Sequence, residues 1–131
     1  MSWCFEDESS EYADKVLESL ENCEAVVPSI WPLEVGNVLL VAERRNRIDE
    51  ASSTHFLEIL NALPIQVEPD PPDRIFTRIL SLARKHEMST YDASYLDLAL
   101  RLDVQIATLD ESLRRTTKKE RTEIYDPGEV L

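Results

Sequence analysis

Short apolar runs alternate with longer amphipathic segments along this chain, and that alternation limits its fold more than any other feature. Ala25 to Val27 and Ile65 to Glu68 read as buried strands, Val104 to Thr108 as the strongest strand, and Glu123 to Tyr125 as a last one. Ser9 or Ser10 caps a helix that carries Tyr12, Val16, Leu17 and Leu20 on one stripe and ends near Asn22. Pro28 and Ser29 open a second helix from about Ile30 to Arg45, and Asp49 or Ser52 to Leu63 forms a third. After the turn-rich Pro69-Asp70-Pro71-Pro72, a helix from about Asp73 to His86 turns Ile75, Ile79, Leu82 and Ala83 inward. Ser89 or Thr90 caps a helix running to about Leu102, and Asp110 to about Lys119 is a short last helix. Strands alternating with helices predict an α/β fold, a mostly parallel sheet with helices on both faces. At 131 residues the chain is read as one domain, 1–131, burying about two-thirds of its unfolded surface.

That topology gathers acids. The strand ending at Thr108 brings Asp110 to the carboxyl edge of the sheet, and the preceding helix runs antiparallel to it and starts near Asp92. Glu34, in the first turns of the helix after Ala25–Val27, belongs at the same edge, where open parallel sheets bind their ligands. Glu34, Val38 and Val41 make an i, i+4, i+7 stripe in a helix that is apolar almost all round, with Asn37 on the same side. A carboxylate buried there needs a partner, either a cation or a structural pair such as Asn37 or an arginine. Asp92 has apolar neighbours at Leu96 and Ala99, so it is expected to face inward, whereas Asp97 is expected to face solvent. Its competing role is to favour the helix dipole, as Asp110's is to serve as an N-cap. Like charges crowded at one edge repel unless a cation neutralises them, so the three together outweigh each alone.

Composition narrows the chemistry. Only two glycines occur, Gly36 and Gly128, and neither sits in a phosphate-cradling loop. His55 and His86 lack metal-ligand spacing, and Cys4 and Cys23 read as reduced packing thiols, so any metal is held by oxygen, as Mg²⁺ or Mn²⁺ are. A formal charge of −12 argues against capture of nucleic acid by a basic surface, although Arg44-Arg45-x-Arg47 and Arg114-Arg115-x-x-Lys118-Lys119-x-Arg121 are local basic clusters, either solvated helix faces or phosphate contacts. No apolar run reaches the length of a membrane span and no signal peptide is evident, so the expected location is cytoplasmic.

The segments Trp3 to Glu8, Pro28 to Leu39, Tyr91-Asp92-Ala93-Ser94-Tyr95-Leu96-Asp97-Leu98-Ala99 and Ala107-Thr108-Leu109-Asp110 resemble those of the PIN-domain family, and within it the toxin ribonucleases of the VapC type. The resemblance implies a three-layer fold around a five-stranded parallel sheet of order 3-2-1-4-5. It carries Glu34, Asp92 and Asp110 over as metal-binding and catalytic acids for Mg²⁺ or Mn²⁺, and Asn37 and Thr108 as residues that orient them. It further implies hydrolysis of RNA phosphodiesters, a homodimer, and a cognate antitoxin contacted through Trp3, Phe5 and Trp31, unless those aromatics pack in the core. One departure stands out: the family's first strand, central to the sheet and ending in an aspartate, has no counterpart before Trp3. The sheet is therefore expected to carry a gap, with a misplaced start codon or a truncated chain as the preferred explanation. Two other classes compete: an interaction module that binds an antitoxin or dimerises without cleaving RNA, and a receiver-type phosphoacceptor. The latter needs a lysine at a strand end, whereas Lys118 and Lys119 lie at the far end of the last helix or beyond it.

Overall fold

A computed structural model describes residues 11–120 and 122–126, in two compact units, Met1–Val67 and Glu68–Leu131. The first unit holds α1 (Glu11–Ser19), β1 (Ala25–Pro28), α2 (Trp31–Arg44), α3 (Glu50–Asn61) and β2 (Ile65–Glu68), whose last residue crosses the boundary. β1 and β2 pair in a small parallel sheet, joined by the two helices between them. Helix α1 is shorter than its apolar stripe predicts, because the chain tightens through i to i−3 bonds: Leu20 N–H to Leu17 and Asn22 N–H to Ser19. Asp49 caps α3, its carboxylate accepting the Ser52 N–H at 2.7 Å.

The core of this unit is Val35, Leu39 and Leu60, with Trp31, Ile48, Phe56, Leu63 and Ile65 packed against it. On α2 the buried stripe is Val35, Leu39 and Ala42, one position round from the expected stripe. Glu34, Val38 and Val41 flank it, half-buried, and Asn37 is exposed. Cys23 is a free, exposed thiol rather than a packing residue; Cys4, Trp3 and Phe5 lie outside the described residues.

The second unit begins with one continuous helical run in three pieces: α4 (Pro72–Arg74), a π-helical stretch Ile75–Ile79, and α5 (Leu80–His86). Then follow α6 (Thr90–Leu102) and α7 (Glu111–Lys119). The expected inward residues Ile79, Leu82 and Ala83 are buried with Ala93, Leu96, Ala99 and Ile106, and Ile75 packs against them. Helix α6 is the centre of this unit, burying Ala93, Ser94, Leu96, Asp97, Leu98 and Ala99, so apolar contact surrounds much of it.

The segment Val104 to Thr108, expected to be the best strand, forms a single parallel bridge between Ile106 and Ile124. Its ends are committed elsewhere. Asp103 turns left-handed at φ 54° to close α6, which sends the Val104 N–H back to Ala99 at 3.1 Å. At the other end the Thr108 carbonyl accepts from Arg114. The ladder is carried by the middle residue, the Ile106 N–H donating to Glu123 at 3.0 Å and its carbonyl accepting the Tyr125 N–H at 2.8 Å. Among the described residues, then, β1 pairs with β2 in the first unit and Ile106 with Ile124 in the second. The expected order 3-2-1-4-5 is not formed by the described residues.

Candidate metal-binding carboxylate pair

Two helix starts in the second unit carry the acids. Ser89 is the N-cap of α6 and its hydroxyl accepts the Asp92 N–H at 3.1 Å, which places Asp92 at the third helical position. Asp110 is the N-cap of α7, its Oδ1 accepting the Leu113 N–H at 2.8 Å. Both are positions where a helix dipole favours negative charge. The Asp92 carboxyl is nevertheless pushed above its ordinary 3.8, first by burial, then by the charge of Asp110, against a lowering hydrogen bond from Ser89. Desolvation and a like charge therefore outweigh the Ser89 hydrogen bond at this position. Asp110 itself is exposed, and its backbone N–H donates to Thr108 Oγ1 at 3.1 Å. Thr108 thus braces the turn that presents Asp110.

Glu34 lies in the first turn of α2, in the first unit, its N–H bonded to the Ile30 carbonyl at 3.0 Å. Asp92, Asp110 and Thr108 are brought together in the second unit; Glu34 and Asn37 lie on α2 of the first. Among the described residues no cluster of three or more His, Cys, Asp or Glu side chains is arranged to hold a metal ion. The pair fits a hard divalent cation on its own chemistry: donors that are all carboxylate oxygens, one of them desolvated and repelled by the other.

Asp97 overturns an expectation. Its side chain is 0% exposed, not solvent-facing, and takes a two-pronged bond from Arg74, Nε to Oδ2 at 2.7 Å and Nη2 to Oδ1 at 2.8 Å. Arg101 lies 3.3 Å from the same Oδ2 and reaches Asp70 at 3.0 Å. The physical reason is the burial of α6 on more than one face, which leaves no solvent side for Asp97. The spacing Asp97–Arg101, i to i+4, was the available signal for this network. A second cluster also went unread: Glu120 Oε1 meets Lys85 Nζ at 2.8 Å and His86 Nε2 at 2.6 Å, tying the end of α5 to the end of α7. Lys85, then His86, hold the Glu120 carboxyl below its usual range.

The profile of the PIN domain matches residues 1–119, and the chain belongs to that family. PIN domains are in general nucleases, and they typically use divalent metal. Among solved structures, the chain is similar to the crystal structure of PAE2754 from Pyrobaculum aerophilum, at 29% identity and a TM-score of 0.64, covering 80% of this chain and 69% of that one. A search of curated proteins found no match. No helix among the described residues is long and apolar enough to cross a membrane.

Proposed function

We propose that this chain is a Mg²⁺- or Mn²⁺-dependent endoribonuclease of the VapC type, the toxin of a type II toxin–antitoxin pair. The observation that carries the reading is Asp92: a carboxyl raised by burial and by the neighbouring Asp110 charge, on a fold whose family is nucleolytic. Such a pair is under strain as two bare anions and is relieved by a cation.

In this reading Asp92 and Asp110 would hold the ion through carboxylate oxygens, and Glu34 is proposed as a further catalytic acid on the family resemblance. A bound Mg²⁺ or Mn²⁺ supplies Lewis acidity, making water nucleophilic and stabilising charge on the attacked phosphate. The protein's own work is positional. Ser89 fixes the start of α6 beneath Asp92, and Thr108 holds the Asp110 turn. Asn37 is assigned to orienting Glu34 or water. The three acids themselves have no nucleophilic role.

The chain is further proposed to act as a single domain, as a cytoplasmic homodimer, and to be silenced by an antitoxin at Trp3, Phe5 and Trp31. Trp31 is half-buried against the core of the first unit, so only its outer part is offered to such a partner. The test is cleavage of a structured RNA pool with Mg²⁺ and with chelator. Asp92→Asn and Glu34→Gln are each expected to abolish metal-dependent cleavage in a folded protein; retained cleavage removes that residue from the site. Antitoxin binding or dimerisation without any cleavage, by the unsubstituted chain, would leave the interaction-module reading instead.

A further inference from the structure

Arg114 belongs to the basic run of α7, where a solvated face or phosphate contacts would be its expected uses, and it serves neither in the bond it makes. Its Nε donates to the Thr108 carbonyl at 2.7 Å, while its backbone N–H donates to the Asp110 carbonyl at 3.0 Å. Together with Asp110 N–H to Thr108 Oγ1 at 3.1 Å and Leu113 N–H to Asp110 Oδ1 at 2.8 Å, these bonds close a ring around the turn from Thr108 to Arg114. Asp110 sits within that ring. One of its oxygens, Oδ1, is committed to the cap, so the direction of the other follows from how rigidly the turn is held.

A cation one turn into a helix works against the helix dipole, which favours anions there. Arg114 is half-buried, whereas Arg115, with the same charge one residue on, is exposed. The unfavourable placement is offset by the planar guanidinium's bond to a carbonyl two residues before Asp110. A charge-assisted bond of this kind is about twice as strong as a neutral one. Lysine, with a mobile point charge, does not reproduce it.

We infer that Arg114 is a positioning residue for Asp110, fastening the Thr108–Asp110 turn so that the carboxylate is preset for a divalent cation. The inference rests on the metal reading above for its consequence, but not for its geometry. Two readouts separate them in the full chain: amide exchange at Leu113 and Asp110 without metal, and Mn²⁺ affinity measured by paramagnetic resonance. Arg114→Ala is expected to speed exchange at those amides by about tenfold relative to α6 amides in the same protein. It should also weaken Mn²⁺ binding by about tenfold, the usual range for a partner of a ligand. Arg115→Ala removes the same charge from an exposed position and should change both by less than about twofold.

Unchanged exchange at Leu113 in Arg114→Ala overturns the inference, as does equal weakening of Mn²⁺ binding by the two substitutions. If the unsubstituted chain binds no Mn²⁺, the metal reading falls, and preset binding by Asp110 falls with it. The exchange contrast then still reports whether the tether exists.

Discussion

Asp92 and Asp97 stand five positions apart on one helix and meet opposite fates. Asp97 is wholly buried, yet its charge is answered by the fork of Arg74 and by Arg101 nearby. Asp92 is less buried, yet its strongest charged neighbour is another carboxylate, Asp110. Depth alone therefore does not separate the two. What differs is whether the fold supplies the counter-charge, as at Asp97, or sets a second carboxylate beside the first, as at Asp92, and the proposed cation site rests on the second arrangement.

That contrast can be broken first at Asp97. Asp97→Ala leaves Arg74 and Arg101 facing a buried gap and is expected to cost about 3–5 kcal/mol, measured by urea unfolding. A loss under about 1 kcal/mol would mean that the arginines find water and the network is ornamental. Next in size is Ser89→Ala, which removes the cap of α6 at a cost of about 1 kcal/mol. Because the same hydroxyl lowers the Asp92 carboxyl, that substitution should also raise its titration further, which carbon-detected resonance would follow.

The smallest effect has the opposite sign. Burial and Asp110 raise Asp92 above 3.8, so the folded chain holds that proton more tightly than the unfolded chain does. The stabilisation this gives is complete below 3.8 and is lost as pH rises through the raised value. At neutral pH the ionised group therefore opposes folding, and Asp92→Asn should raise the metal-free melting temperature slightly while abolishing cleavage. The gain should vanish as pH falls below 3.8, where the unsubstituted residue is itself neutral. A destabilised Asp92→Asn at neutral pH would place Asp92 with Asp97, among the structural acids.

Much of this was legible in the sequence because local chemistry decided it. The helices from Glu50, Thr90 and Glu111 start at the capping residues Asp49, Ser89 and Asp110, the one from Trp31 starts close to the expected Ile30 but without a side-chain cap, and Ile79, Leu82 and Ala83 are buried as their spacing demands. Asp92 and Asp110 interact electrostatically, as expected of an acid at the start of α6 and one at the turn that follows Thr108. The misses arose where tertiary contact overrode period. Val104–Thr108 has the composition of a strand, but its end groups are spent on closing α6 and on Arg114. Asp97 departs from the solvent-facing expectation because α6 is buried on more than the one stripe that Leu96 and Ala99 define. The buried stripe on α2 lies one position round from Glu34, Val38 and Val41, because Val35, Leu39 and Ala42 form a wholly apolar stripe beside it.

The most direct test of the account is a carboxyl-carbon titration of Asp92 in the metal-free protein, repeated with Mg²⁺. Asp92 is expected to titrate above 3.8 without metal and to move to lower pH as Mg²⁺ competes with the proton, with a smaller starting elevation in Asp110→Asn. An Asp92 that titrates at its ordinary value, or one that Mg²⁺ leaves unmoved, would contradict the claim that this pair is a cation site.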